Sequence, residues 1–151
     1  MEVSGNQKIK APRQLVFQSL LNPQVLQNSI PGCESAEFVD FPTGRQLKMT
    51  ISLDMPGIKG SHTIFLQTGE VVAPSRVVLI TEPSSSLGSI KATCTIDLSE
   101  TAEGTDLNYN ALAEREGKIA AIPDIMIKGV VKSTLDRFFK NFEKQIASIP
   151  A

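Results

Sequence analysis

The stretch from residue 9 to residue 35 constrains the fold more than any other, and it reads IKAPRQLVFQSLLNPQVLQNSIPGCES. Pro12 and Pro23 each open a short helix at its first turn, where a missing N–H costs no hydrogen bond. Asn22 stands directly before Pro23, so one helix ends there and the Asn22 side chain can cap the next. The tripeptide at 30–32, Ile-Pro-Gly, then ends the second helix. The stretch therefore predicts a strand, two short helices, a Pro-Gly turn and a second strand.

Segments in which apolar and polar residues alternate follow this opening, and turn residues separate them. The clearest runs from Ile90 to Leu98, and such alternation is typical of a half-buried strand. The predicted strands cover residues 47–53, 58–72, 76–82, 90–98 and 107–113, with turns at 55–57, 73–75 and 103–105 and a loop at 84–86. Because the connections are short, we expect an antiparallel sheet with one packed face and one wet face.

The last thirty residues change from a period of two to spacings of three and four. This spacing predicts a long amphipathic helix, with Pro123 in its first turn and Asp124 suited to its positive end. The predicted buried stripe consists of Ile127, Val131, Leu135, Phe138, Phe139, Phe142, Ile146 and Ile149. The predicted fold class is thus α+β: a curved antiparallel sheet wrapped around one long C-terminal helix, with the two short helices closing one end.

Composition excludes several classes of protein. The chain has 151 residues and a formal net charge of −1, which argues against a nucleic-acid partner because phosphate binding favours a basic face. Cys33 and Cys94 form neither a metal-ligand spacing nor a disulfide framework, so we expect no metal site. The sequence has no apolar run long enough to span a membrane, and its polar N-terminus lacks a signal core. These features predict a cytoplasmic protein of one domain, residues 1–151.

A set of motifs recurs in order along the chain, and the set is more specific than any one member. Through these motifs the chain resembles the CoxG family of carbon monoxide dehydrogenase subunits, a branch of the START-like (SRPBCC) superfamily. The motifs are Ala11-Pro12-Arg13, Asn22-Pro23, Ile30-Pro31-Gly32-Cys33-Glu34, Gly117-Lys118-Ile119-Ala120, Gly129 and Phe138-Phe139. The chain departs from the family where Pro123 and Asp124 stand, since members often have a glycine there.

The resemblance implies a helix-grip fold with a ligand tunnel between the sheet and the long helix. It implies an accessory factor of a molybdenum-containing dehydrogenase of the carbon monoxide dehydrogenase type, one that handles a lipophilic quinone or lipid. The expected partners are therefore a hydrophobic small molecule, a molybdenum hydroxylase complex and, in a homodimer, a second copy of the chain. Contact with the inner face of the membrane is expected to be peripheral at most.

Residues that could carry catalysis are few. His62 is the only histidine and lies in a predicted strand, where a solvated or partly buried histidine is commoner than a general base. Cys94 falls on the apolar face of its strand, and Cys33 follows a turn without a histidine partner. Helix capping and a solvated hairpin end account for Asp124 and Glu116. We therefore expect no catalytic residues and no cofactor other than a bound lipid or quinone.

The predicted inward-facing residues are aliphatic apart from one phenol, a composition that suits a cavity for a hydrophobic ligand. The same residues could equally fill an ordinary core, because protein interiors are close-packed. The predicted ligand-binding set is Met49, Ile51, Leu53, Ile64, Leu66, Ile96, Tyr109, Ala111, Met126, Ile127 and Val131. Ile125, Met126 and Val130 lie off the buried stripe, so either loops cover them or they form a docking patch or a gate over the ligand mouth.

Three functions remain open from the sequence. The first is a non-catalytic binding protein that sequesters a hydrophobic molecule. The second is a cyclase- or hydratase-type enzyme, as in other START-like branches, with Tyr109 and His62 as its polar pair. The third is an interaction module that uses the outer face of the C-terminal helix.

Overall fold

A computed structural model describes the backbone of residues 1–42, 44–55, 58–82, 84–85 and 88–147; side chains at 53–55, 58–59, 84–85 and 119 lie outside the described part. The elements in chain order are β1 (Glu2–Ile9), α1 (Arg13–Leu20), α2 (Pro23–Ser29), β2 (Cys33–Phe41), β3 (Gly44–Met55), β4 (Ile58–Val72), β5 (Arg76–Thr81), β6 (Ser84–Ser85), β7 (Gly88–Thr101), β8 (Gly104–Glu116), a 3₁₀ helix (Gly117–Ala121) and α3 (Asp124–Ala147).

Seven strands form one curved antiparallel sheet in the order β1-β8-β7-β5-β4-β3-β2, and β6 pairs with β7 beside this path. The long helix α3 packs against α2, β1 and α1. The predicted antiparallel sheet and long C-terminal helix are confirmed. The prediction of a loop at 84–86 is wrong at Ser84–Ser85, because their backbone pairs with Ser89 and Gly88. The predicted turn at 56–57 and the stripe residue Ile149 lie outside the described residues.

The prediction that a proline opens each short helix in its first turn is confirmed for Pro23, whereas Pro12 lies one residue earlier, at the cap of its helix. Pro23 is the first residue of α2, whereas Pro12 is the residue before α1. The turn after α2 needs a glycine: Gly32 has φ +79°, and a side chain there would meet the Ser52 carbonyl oxygen. The Gly32 carbonyl accepts a hydrogen bond of 2.9 Å from the Ser52 amide, which fixes the turn against β3.

Asn22 caps α2 as its position before Pro23 predicts. Its Oδ1 accepts hydrogen bonds from the backbone amides of Gln24 (2.9 Å) and Val25 (3.4 Å). We expect Asn22→Ala to lower the free energy of unfolding by about 1 kcal/mol, because two amides of the first turn lose their partner. Urea unfolding measures this loss. Asn22→Asp, which keeps the acceptor oxygen, should stay close to the natural protein; an equal loss in both variants would contradict the capping role.

The interior is divided into two apolar clusters that meet at one residue. The first cluster joins α1 and the C-terminal half of α3 to β1, β5, β7 and β8, and it includes Val77, Leu107 and Phe142, all of them 0% exposed. The second joins α2 to β3 and β4 through Leu26, Leu47, Met49, Ile51 and Ile64. Phe138 of α3 packs against both clusters. The long helix therefore connects the two halves of the sheet.

Candidate functional site

The concave face of the sheet is not buried evenly along its strands. Near the middle of β7 and β8, the facing pair Ile96 and Tyr109 is only 2% and 3% exposed. Further along the same face, toward the start of α3, Cys94 faces Ala111 and Ala92 faces Ala113, and all four are half-buried. Interiors are normally close-packed, so half-buried inward positions mark a part of this face that the helices do not cover completely.

Small side chains produce this incompletely covered region, which we call the alanine face and define by Ala92, Cys94, Ala111 and Ala113. Alanine and cysteine leave more space above a sheet than the leucine, isoleucine and tyrosine of the adjoining part of the face. Leu79 of β5 lies beside Cys94 and is also half-buried, and both side chains pack on one side against the first cluster. The result is an apolar surface that can accept an apolar group from a ligand.

Arg115 lies at the end of the alanine face. It follows Ala113 on the same side of β8, and its side chain is 10% exposed. One amino group donates a 2.7 Å hydrogen bond to the Ile122 carbonyl, and the other bonds to the Asp124 carboxylate. A buried guanidinium bound in this way ties the chain between β8 and α3 to the sheet. Asp124 therefore has a structural partner besides its position in the first turn of α3.

Both thiols have a raised pKa, and burial is the first cause in each. Burial raises the pKa of Cys94 to about 11. Burial also raises the pKa of Cys33, and a backbone hydrogen bond at Ser35 opposes it only in part. Since the thiolate is the nucleophile, neither cysteine has the lowered pKa of a catalytic thiol.

We expect Cys94 to react with iodoacetamide very slowly at pH 8, because a pKa of about 11 leaves roughly one thiol in a thousand ionised. The rate should rise about tenfold for each pH unit up to pH 10, since deprotonation supplies the nucleophile. Mass spectrometry of the Cys33→Ser variant, which leaves Cys94 as the one thiol of the sequence, gives the rate. A rate that is independent of pH between 7 and 10 would contradict the raised pKa.

Tyr109 is held on three sides and belongs to the first cluster. Its ring is stacked on Phe139, with 5.0 Å between ring centres, and lies over Gly5 of β1, where a Cβ atom would sit 2.5 Å from the hydroxyl. Its hydroxyl accepts a 2.8 Å hydrogen bond from Nζ of Lys132, which raises the pKa of that ammonium group. Lys132 is also 3.5 Å from Asp136. The phenol therefore already has a protein partner across the β1–α3 contact.

Tyr109 and His62, the polar pair of the enzyme hypothesis, lie on strands that are well separated in the sheet. They lie on β8 and β4, which β7 and β5 separate in the sheet. Three strand spacings amount to about 14 Å, well beyond the reach of a hydrogen bond. His62 is half-buried and faces Ile51 across β3 and β4. The sheet order thus places the two candidate groups of the enzyme hypothesis on strands that are not neighbours.

The structure distributes the predicted ligand-binding residues over several environments. Met49, Ile51 and Ile64 are buried in the second cluster, and half-buried Leu66 packs against it. Leu53 pairs with Gly60 in the backbone, and its side chain lies outside the described part. Ile96 and Tyr109 belong to the first cluster, and Val131 packs against it. Ile127 is buried on α3, whereas Met126 is exposed to solvent. Ala111 lies on the alanine face. Ala111 is therefore the one member that lies on the alanine face.

The start of α3 exposes apolar side chains to solvent. Ile125 is 81% exposed and Met126 is 48% exposed, so no loop in the described part of the chain covers these two positions, while Val130 is half-buried. The sequence left open whether loops cover these residues or whether they form an exposed patch, and the structure shows an exposed patch at Ile125 and Met126. Its adjacency to Asp124, which Arg115 binds, places this patch beside the end of the alanine face.

A pocket of about 250 Å³ opens at the corner between α1 and α2, and it shares Leu79 with the border of the alanine face. We call it the corner pocket, and its lining includes Leu20, Leu26, Phe38, Arg45, Leu47 and Val71. Of the predicted ligand-binding set, Leu66 alone lines it. The sequence does not reveal this pocket, because no periodic pattern shows which strands Leu20 of α1 and Leu26 of α2 pack against. The apolar residues on both sides of the α1–α2 junction were the available signal.

The described residues offer neither a metal cluster nor a membrane-spanning helix. Among residues 1–42, 44–55, 58–82, 84–85 and 88–147, no group of three or more His, Cys, Asp or Glu side chains is arranged to hold a metal ion. No helix formed by those residues combines the length and the apolar character that crossing a bilayer requires.

Solved structures define the class of fold. A conserved protein from Geobacillus kaustophilus is 28% identical with a TM-score of 0.85, over 97% of this chain and 95% of that one. A START superfamily protein from Mycobacterium smegmatis, 14% identical, has a TM-score of 0.75 over 99% of both chains. Protein CV1439 from Chromobacterium violaceum, also 14% identical, has a TM-score of 0.72 over 96% of both. The sheet and its long helix thus have a START-like fold.

The family follows from the sequence. The family model for CoxG, a carbon monoxide dehydrogenase subunit, matches residues 5–147, and the chain belongs to this family. The resemblance drawn from the ordered motifs is therefore confirmed. No curated protein matches the chain. The single domain over residues 1–151 stays a prediction.

Proposed function

We propose that this protein binds a hydrophobic small molecule, a lipid or a quinone, and serves without catalysis as an accessory factor of a molybdenum-containing dehydrogenase of the carbon monoxide dehydrogenase type. The observation that supports ligand binding is the alanine face, an inward-facing apolar surface of the sheet whose residues are only half-buried. The family, CoxG, supports the partner enzyme. The predicted ligand-binding residues and a cytoplasmic or peripheral inner-membrane location belong to the same proposal.

The physical basis of binding is burial of an isoprenoid or acyl chain against small apolar side chains. Each buried CH₂ contributes about 0.8 kcal/mol, so a chain of about ten to fifteen carbons gives tight binding. In this proposal the small side chains of Ala92, Ala111 and Ala113 leave room for the ligand chain on the inward face of the sheet. Leu79 on the neighbouring strand offers an apolar side chain beside it. Burial raises the Cys94 pKa to about 11, which keeps this thiol neutral and apolar beside the ligand.

Exposed apolar residues near the end of the alanine face are suited to transfer of the ligand to or from a partner enzyme or a membrane. Ile125 and Met126 lie in the first turn of α3, next to the carboxylate that Arg115 holds. We assign them the contact with the partner enzyme or with the membrane surface, at the place where a ligand would enter or leave. A pure interaction module remains the second candidate function, favoured by the 81% exposure of Ile125.

Native mass spectrometry of the purified protein tests the proposal. The expected result is a mass above that of the polypeptide, with a lipid or quinone recovered by organic extraction. Titration of the emptied protein with a quinone that carries two isoprene units should give saturable binding. The bare polypeptide mass, together with no quinone uptake, would refute ligand binding. If the exposed patch is a contact surface, Met126→Asp should weaken a partner complex whether or not the protein binds a ligand.

A further inference from the structure

The corner pocket has an apolar floor and a rim with one cation. Its floor includes Leu20, Leu26 and Leu47, which are 0%, 3% and 4% exposed. Its rim includes Phe38 and Val71, which are 48% and 41% exposed, and the guanidinium of Arg45. A cavity that is apolar inside and cationic at its opening fits a ligand with an apolar body and an anionic head.

Arg45 is placed to receive such a head. Its guanidinium carbon lies 5.4 Å from the centre of the Phe38 ring, which orients the group across the rim. Its Nε donates a 3.0 Å hydrogen bond to Asp40, an ion pair whose side chains are 62% and 78% exposed. Arginine has five N–H donors, and across the described ranges the two amino groups of Arg45 have no protein acceptor.

The ion pair with Asp40 is open to competition, because exposed pairs of this kind contribute little to stability. An arriving carboxylate can bind the two amino groups of Arg45 while Asp40 keeps Nε. The Asp40 carboxylate then lies near the ligand's own charge and weakens its binding. Removing the charge of Asp40 should therefore strengthen ligand binding, whereas removing the charge of Arg45 should weaken it.

We infer that the corner pocket binds an anionic amphiphile with a single short aliphatic chain, with the chain on the leucine floor and the carboxylate on Arg45. The volume of about 250 Å³ holds about eight groups of the size of a water molecule or a methylene, at about 30 Å³ each. Leu79 lines this pocket and also borders the alanine face, so the two sites adjoin, whereas Arg45, Phe38 and the leucine floor belong to the corner pocket. The inference goes beyond the proposed function in the anionic head group that it assigns to Arg45. It commits to a carboxylate of roughly eight carbons.

Octanoate is the probe, and backbone-amide NMR shifts of the natural protein report where it binds. We expect saturable shifts at Phe38, Arg45 and Leu47, and about tenfold weaker binding of 1-octanol and octylamine, which lack the anionic head. Affinity should rise about fourfold per methylene from butanoate and level off near eight carbons. Equal affinities for the three eight-carbon compounds, or shifts confined to other parts of the protein, would overturn the inference.

Two charge variants separate ligand electrostatics from a structural role of the ion pair. Arg45→Gln should weaken octanoate binding about tenfold and leave 1-octanol unchanged. Asp40→Asn should strengthen octanoate binding about threefold, since it removes a competing carboxylate. Both variants break the same ion pair, so a merely structural role would move octanoate affinity in the same direction in both. Changes of the same sign would therefore overturn the assignment.

A filling variant tests the pocket itself. Thr68 lines the pocket and is exposed, so Thr68→Phe can fill it from the rim without disturbing the floor. Gln67→Phe is the matched control, because Gln67 is the neighbouring exposed residue on the opposite face of β4. We expect Thr68→Phe to abolish octanoate binding and the control to retain it; retention by both would refute the site. Uptake of the uncharged quinone at the alanine face is measured separately, so either proposal can fail while the other stands.

Discussion

Replacing Phe142 by alanine should lower the free energy of unfolding by about 3–5 kcal/mol. Phe142 is 0% exposed, and its ring is stacked on Phe138 with 5.6 Å between ring centres. Phe138 in turn packs against both apolar clusters, so a cavity at 142 loosens the residue that joins them. Domains of this kind are stable by about 5–15 kcal/mol, and a loss of this size is a large share of that total.

Urea unfolding followed by circular dichroism measures this loss, and the midpoint of thermal unfolding should fall by roughly 10 °C. Phe65→Ala is the control, because Phe65 is 36% exposed on the opposite face of the sheet from the clusters. We expect the control to lose less than about 1 kcal/mol. Similar losses in the two variants would mean that Phe142 does not have the central position that its burial indicates.

Replacing Ala111 by phenylalanine should reduce the binding of Nile red, an uncharged apolar dye, by about a hundredfold. The phenyl ring would occupy the space above the alanine face, where the ligand is proposed to lie, and the apolar area open to the dye would be lost. Asn110→Phe is the matched control: it adds the same ring to the adjacent exposed residue on the outer face of β8. Dye fluorescence on titration gives both affinities.

The Ala111 substitution must be separated from overpacking, which costs about 1–3 kcal/mol in a filled core. Urea unfolding of both variants supplies that comparison. A large loss of stability with unchanged dye binding would show that the alanine face is core and that the ligand lies elsewhere. Ala113→Phe, one pair closer to Arg115 on the same face, should repeat the loss of dye binding.

Strand and helix positions could be predicted from the sequence because they depend on periodicity. The alternation from Ile90 to Leu98 lies inside β7, and the stripe that contains Phe139 and Phe142 lies on α3. Elements without a periodic pattern were missed. Ser84–Ser85 is a two-residue strand defined by its backbone pairing, and Gly117–Ala121 forms a single 3₁₀ helix whose residues carry no apolar stripe.

The candidate site was harder to predict, because it depends on distances between elements that lie far apart in the chain. Alternation along β8 indicates its inward face, but it does not reveal that Lys132 reaches the Tyr109 hydroxyl, or that Gly5 leaves room for its ring. Sheet order separates Tyr109 from His62, and no local pattern reveals that order. The small residues Ala111, Ala113 and Gly129 are the local signal that the sequence offers of room near the start of α3.

The pairing of β1 with β8 has a consequence for synthesis on the ribosome. Val3 pairs with Ala111, so the first strand has to wait for more than a hundred residues before its partner exists. At about 5–20 residues per second, that delay lasts roughly 5–20 seconds, during which the β1 backbone groups are unpaired. Long-range pairing of this kind also slows folding after release. Nascent chains stopped before residue 104 should therefore be the form that most needs a chaperone.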